Sequence, residues 1–415
     1  MKRLLEVITQ ERRARVFLLA HVQSSLGNGA AAVALVLLAY ERWHSPWAIT
    51  LVLLADFLPS MLLGPLFGAA VDRWSRRWCA IAADVIRAAA FAGLGFVHSF
   101  PATVAFALLA GVGTALWSPA VLAALPGMVS PERLPAATSL FGSVKDLGRT
   151  IGPLLAAIVF ALVGADAVMF GNAVTFLVSA VVLASLPFGA RVAPATAGMR
   201  AMLREAREGL VVTTHTPGVR VVVRASTAIV LFAATLNVAE LLLARDLGVG
   251  PSGFAVLLAA LGVGVVAGSL WGAGGSTLDE LKRRYVGGLL VVGLGLIAMS
   301  LSHHFAMALP AFLLMGFGNG VVVVHERLLM QATMPDSLMG RAFAVLDTTT
   351  SWAFALAFIG AGAVIALIGT RGLLGFAGAA SVAVWLYATV ALRGVWNEQT
   401  PVVAKRDPVE LLVEG

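Results

Sequence analysis

Charge is what this sequence has least of. Only 12% of its 415 residues are Asp, Glu, Lys or Arg, against 59% hydrophobic, and the mean hydropathy is +0.91. Soluble domains carry about 25% charged residues, so a chain this long with so little charge points to a polytopic membrane protein. Cysteine is nearly missing. Cys79 stands alone, which excludes an internal disulfide and any cysteine-based metal site. The marks of a membrane enzyme are missing too: no paired-histidine metal motif on a helix, no phosphate-cradling loop, no Ser-His-Asp framework. The many Gly-x-Gly pairs are helix-packing glycines. No cofactor is expected, and no cleavable signal, because Met1–Arg15 is polar and charged and the apolar run after it is long enough to span.

What is present is helix of membrane length. A span needs about 20 mostly apolar residues. Such runs fall near 16–40, 46–71, 79–98, 101–127, 136–163, 166–187, 220–243, 252–275, 285–302, 305–326, 342–368 and 372–393, twelve in all. The positive-inside rule sets their orientation. With the N-terminus in the cytoplasm, inside segments collect most of the arginines and lysines, from Arg12, Arg13 and Arg15 to Lys282, Arg283 and Arg284. Outside connections hold only Arg42, Arg245 and Arg371. The formal charge of +7 is thus a topology signal dispersed over short loops, and no nucleic-acid partner is expected. The expected setting is the cell (inner, cytoplasmic) membrane, with the lipid bilayer as partner, both termini cytoplasmic and the chain a monomer.

The longest connection divides the chain into a first bundle at 1–187, a linker at 188–219, a second bundle at 220–394 and a tail at 395–415. In the linker, Met199, Met202, Leu203, Ala206 and Leu210 share one helical face opposite arginines and glutamates. This describes an amphipathic helix on the membrane surface or a solvated linker helix. The halves repeat. "GPLFGA" at Gly64 returns as "GSLWGA" at Gly268, and "PERL" at Pro131 as "PDSL" at Pro335, both 204 residues on. "GVGTA" at Gly111 meets "GFGNG" at Gly316 at 205. Three matches in corresponding places indicate two six-helix halves, a common transporter plan with the substrate near the midplane.

On these residues the chain resembles the major facilitator superfamily, in particular its twelve-helix drug:proton antiporters, the group that includes macrolide-efflux and enterobactin-exporter-like proteins. "GAAVDRWSRR" is similar to the superfamily's loop between helices two and three, through Gly68, Asp72, Arg73, Arg76 and Arg77; Ser75 replaces the usual second glycine. "GRTIGP" resembles the antiporter signature of helix five, through Gly148, Gly152 and Pro153, although Ala156 and Ala157 stand where glycines are common. The resemblance implies an all-α integral membrane protein with twelve helices in two pseudo-symmetric bundles. It also implies a latch: the loop motif clamps the halves on the cytoplasmic side in the outward-facing state. Plain positive-inside anchoring is the simpler alternative.

Ionisable side chains inside a membrane are functional candidates by default. Asp56 has no basic residue near it in sequence, and hydrocarbon disfavours its ionised form, so it is a candidate to carry the coupling proton; Glu240 and Asp146 are further candidates. Asp84 with Arg87, and Lys145 with Asp146 and Arg149, bring both signs and so allow local neutralisation. Arg149 precedes an expected helix break at Gly152–Pro153 and is a candidate to face a substrate cavity. Glu326 and Arg327 are expected at an interface. On helix one, His21, Ser24, Ser25 and Asn28 share a polar face, suited to lining a cavity or to interhelical hydrogen bonds. Asn237 and Glu240 occupy the corresponding helix of the second half. Trp117, Phe232, Trp352 and Phe354 are candidates for an apolar cavity surface. The expected function is proton-coupled efflux of an amphipathic small molecule, drug-like or siderophore-like, by alternating access. The alternatives are a lysolipid flippase or metabolite exporter of the same fold and, from another class, a polytopic enzyme.

Overall fold

A computed structural model describes residues 7–130, 133–186, 199–272, 277–334 and 336–396. Its helices are α1 (Arg12–Trp43), α2 (Pro46–Arg73), α3 (Arg76–Phe96), α4 (Phe100–Ala124), α5 (Leu134–Ser185), α6 (Met199–His215), α7 (Pro217–Ala233), α8 (Leu236–Asp246), α9 (Pro251–Gly272), α10 (Leu278–Ser300), α11 (Phe305–Thr333) and α12 (Asp336–Ala391). Ten segments among the described residues are long and apolar enough to cross a bilayer.

The ten and the expected twelve differ because two helices are double. α5 has 52 residues and α12 has 56. A straight helix of that length would run roughly 80 Å, far beyond the ~30 Å of hydrocarbon. Each turns back at one glycine, Gly164 (φ 82, ψ 175) in α5 and Gly369 (φ 74, ψ 173) in α12. Backbone of that shape is open to glycine almost alone. Each of these helices therefore crosses twice. The break expected at Gly152–Pro153 is not seen: the helix runs through it, and Gly152 is used for packing.

The chain forms two compact units, Met1–Ala195 and Thr196–Gly415. Inside the first, α1 packs on α5, α2 on α4, and α3 on α4 and α5. Inside the second, α7 packs on α12, α9 on α11, and α10 on α11 and α12. These are the same pairings, and the repeat persists to single atoms. A methyl at Gly111 would stand 2.9 Å from the Asp56 carbonyl carbon, and one at Gly316 would stand 2.9 Å from that of Leu261. Both members of the pair move by 205 positions. Gly164 and Gly369 are also 205 apart. Without a side chain, each packing glycine brings two helix backbones together, the usual basis of helix association in lipid.

One expected span differs. The run 220–243 was expected to be continuous, but α7 ends at Ala233 and α8 begins at Leu236. Across the joint, Thr235 N–H donates to the Phe232 carbonyl at 3.3 Å and Asn237 N–H to the Ala234 carbonyl at 3.1 Å. Side chains reinforce it: the Thr235 hydroxyl donates to the Phe232 carbonyl at 2.6 Å and the Asn237 amide to the Ala234 carbonyl at 2.9 Å. The polar groups freed by the interruption are thus satisfied locally, as hydrocarbon requires.

Outside the spans, Glu11 ties the start of α1 to the approach to α5. Its carboxylate accepts from Arg133 at 2.8 Å and from the Ser130 N–H at 3.2 Å. The Arg133 guanidinium holds the Glu11 carboxyl below its ordinary range, against the smaller opposing effect of burial.

Candidate functional site

A fully buried charged pair lies in the first unit. α3 carries Asp84 and Arg87 one turn apart, so both point to the same side. They form an ion pair with side chains 0% and 1% exposed. A lone charge there would be costly, and pairing is what makes its burial tolerable. The Arg87 guanidinium lies 4.7 Å from the Trp117 ring centre of α4 and 4.2 Å from the Phe176 ring centre of α5, a cation held by two π faces. The Ser179 hydroxyl and the Trp117 indole also interact with Asp84. Gly113 makes room for the arginine stem, since a methyl there would lie 2.6 Å from the Arg87 Cγ.

Trp117 joins this cluster to helix one. Its ring stacks on His21 at 5.2 Å, and His21 stacks on Phe141 at 4.3 Å and on Phe17 at 6.0 Å. The Ser25 hydroxyl lies 3.4 Å from the His21 Nδ1. The polar stripe on α1 therefore divides: His21, Ser24 and Ser25 are buried, while Asn28 is half-buried. Asp56, on α2, is partly exposed. It is isolated in sequence but not in space, because the Arg87 charge reaches it. Phe141, Phe176 and Ser179 were not singled out from the sequence. A phenylalanine or serine in an apolar helix carries no signal until its neighbour is known.

The second unit places its acids differently. Glu240 is buried, about one turn into α8, whereas Asn237 is exposed and bonds its own backbone. The two do not act as a pair. A second polar group joins α7, α10 and α11. The Tyr285 hydroxyl is 2.8 Å from the Ser226 hydroxyl and donates to the Val222 carbonyl at 3.2 Å. Ser226 also interacts with Glu326, and Asp347 and Tyr285 lie within electrostatic reach of that carboxylate. Tyr285 and Ser226 are the parts the sequence left unnoticed. Trp352 is 48% exposed and Phe354 is half-buried.

Of the expected loop motif, Arg76 donates to the Ala123 carbonyl at 2.8 Å and Arg77 to the Ala184 carbonyl. Both cap helix ends of their own half, where the carbonyls are unpaired and the dipole favours a cation. Gly68 lies within α2, while the side chains of Asp72 and Arg73 lie outside the described residues, as do those of Asp146, Arg149 and Pro153 and the linker face at Met199, Met202, Leu203 and Ala206. Gly148 and Gly152 are described, and both meet helix one. A methyl at Gly148 would stand 2.5 Å from the Ser25 carbonyl carbon, and one at Gly152 would stand 2.5 Å from the Gly29 Cα. The helix-five signature thus serves close packing of α5 on α1.

Known proteins are similar to this chain. The multidrug efflux pump Tap of Mycolicibacterium fortuitum is 26% identical over 367 residues, covering 84% of this chain and 88% of that protein. Macrolide efflux protein A of Streptococcus pyogenes is 22% identical over 345 residues, covering 79% and 83%. The crystal structure of the nucleoside transporter NupG matches with a TM-score of 0.71 at 12% identity, over 92% of this chain and 99% of that one; at that identity the likeness speaks for the fold alone. Residues 17–357 match the Major Facilitator Superfamily. With twelve crossings in two repeated halves and a charged cluster buried among them, this chain belongs to the Major Facilitator Superfamily of membrane transporters and is not an enzyme.

Proposed function

We propose that the chain exports an amphipathic small molecule, drug-like in character, in exchange for protons, by alternating access between its two halves and with both termini in the cytoplasm. The observation that carries the reading is Asp56: a carboxylate inside an apolar helix, with the buried Arg87 guanidinium in electrostatic reach among the described residues. Such a carboxylate is neutral when it holds a proton and becomes costly when it loses one, unless a cation replaces the proton. A cationic substrate and a proton then compete for one charge, and that competition is antiport. The names of the two curated relatives, a multidrug pump and a macrolide efflux protein, agree in direction.

The test is accumulation in proteoliposomes carrying an imposed pH gradient, screened over cationic dyes and macrolides. Asp56→Asn is expected to abolish uphill transport while substrate still equilibrates downhill, and Asp56→Glu to keep part of the coupling. Should Asp56→Asn concentrate substrate as well as the parent, the coupling carboxylate lies elsewhere, and Glu240 is the next to replace.

A further inference from the structure

The chain folds back once more after its last helix. α12 ends at Ala391, and the backbone then passes through two left-handed residues, Gly394 (φ 82) and Trp396 (φ 55). That shape is ordinary for glycine and uncommon for a bulky residue, which keeps it only where its surroundings hold it. What holds Trp396 is the start of α7. A methyl at Gly218 would stand 2.6 Å from its Cη2 and closer still to two other ring atoms, so the indole occupies the space that a side chain at 218 would take. The seat lies at a corner. α6 ends at His215 and α7 begins at Pro217, with Thr216 between them. The Thr216 side chain does not cap α7, and glycine in the first turn is a weak helix former. The indole covers a helix start that has little of its own to hold it.

A second tie fixes the residue before it. The Lys282 ammonium of α10, only 9% exposed, donates to the Val395 carbonyl at 2.9 Å and is paired with Asp279 at 3.1 Å. The first half shows which part of this is common to both. Ala14, Phe17 and His21 on α1 and Val219, Val222 and Ser226 on α7 are buried alike, each pair 205 apart. By that shift Lys282 corresponds to Arg77 and Gly218 to Arg13. Arg77 donates to the Ala184 carbonyl, inside the last turn of α5. Lys282 instead reaches Val395, beyond the end of α12 at Ala391. Arg13 is exposed, and an arginine leaves no seat for a ring. The cation at the helix start belongs to the repeated plan; the glycine seat and the tryptophan in it belong to the second half. We infer that Val395–Trp396 is a strap tying the α6–α7 corner to α10, and that seating or releasing the indole sets how firmly that corner, and with it the linker helix, is held to the second half. Glu208, paired with Arg341 of α12 at 2.9 Å, holds the same linker helix further back. No proton-coupled step enters into the strap.

The experiment is hydrogen exchange of the full chain in lipid nanodiscs, followed by mass spectrometry. It is read over the first turns of α7, where the Arg220 N–H donates to the Thr216 carbonyl at 2.9 Å, and over the α7 interior near Ser226. Gly218→Ala is the main variant because its two readings differ in sign. Alanine is the better helix former, so with no ring in the way it slows exchange. With the indole seated there, the methyl expels it, and exchange at the corner is expected to rise about fivefold or more. Trp396→Ala alone is expected to raise it by a similar factor. In the Trp396→Ala background, Gly218→Ala is expected to slow exchange, a reversal of sign that comes from contact between the two residues. Lys282→Met keeps the stem, loses the donor and is expected to speed exchange at the corner too. Slower exchange in Gly218→Ala alone, the same sign in both backgrounds, or an unchanged corner in Lys282→Met overturns the inference. So does a rise that runs equally through the α7 interior, since the contact would then support the whole fold and not one corner. The readout involves no transport, so the fate of the efflux reading leaves it untouched.

Discussion

Replacing Gly111 or Gly316 by alanine tests whether the two halves are built by one packing rule. Two effects oppose each other. Alanine is favoured over glycine inside a helix by about 0.8–1.0 kcal/mol. Against this, the added methyl would stand 2.9 Å from a carbonyl carbon of the neighbouring helix in both cases. The obstacle is backbone, which yields only if α2 and α4, or α9 and α11, move apart. Overpacking of this kind costs about 1–3 kcal/mol, so the collision wins. The net loss is about 0–2 kcal/mol, of similar size at both sites. Gly171 and Gly360 are the controls. A methyl at either meets nothing within 4 Å, so Gly171→Ala and Gly360→Ala gain about 0.5–1 kcal/mol. The assay is the unfolding midpoint of the purified protein, followed by tryptophan fluorescence, with the four variants side by side. If Gly111→Ala or Gly316→Ala raises the midpoint as the controls do, the helices are not in backbone contact there, and the atomic correspondence between the halves fails with it.

Two further outcomes are expected. Gly164→Ala and Gly369→Ala each force a side chain into a glycine-only backbone shape, a strain of about 1–3 kcal/mol, and both are expected to lower the yield of folded protein and its midpoint by comparable amounts. Glu11→Gln removes a carboxylate that its Arg133 partner holds below the ordinary range. The stabilisation is present above the ordinary carboxylate range and fades as pH falls through the lowered value, so parent and variant should differ near neutral pH and converge in acid below that lowered value; the pair is partly solvated and worth up to about 1 kcal/mol. A gap that widens in acid would contradict the assignment.

The spans were legible because burial in hydrocarbon selects residues one at a time, and a run of apolar letters carries that selection on its face. The reversals at Gly164 and Gly369 were legible too, as short gaps between runs. The joint at Ala234–Thr235 was not. "LFAATLNVAE" is apolar enough to span, and hydropathy registers transfer from water but not which carbonyl a hydrogen bond reaches. Only Thr235 and Asn237, each able to bond a nearby carbonyl, hinted at it. The site was half legible. Asp84 and Arg87 could be paired because their partner lies one turn away. Trp117, Phe176 and Asp56 come to them across helices, and distance along the chain hides that. Gly148 and Gly152 were recognised as a motif, yet their use against Ser25 and Gly29 is a tertiary fact.

The interruption between α7 and α8 has a mechanical meaning that its hydrogen bonds do not state. Its counterpart in the first half, α1, is an unbroken rod of 32 residues. A continuous helix resists bending along its whole length, because every turn is braced by the next. At Ala234 and Thr235 the backbone stays right-handed, but several bonds tighten to the third residue back, and fewer full-turn bonds brace the helix there. The duplicated halves are thus alike in pattern but unequal in stiffness, and a force that flexes both concentrates its strain at Ala234–Thr235. Glu240, about one turn beyond, rides on the short segment.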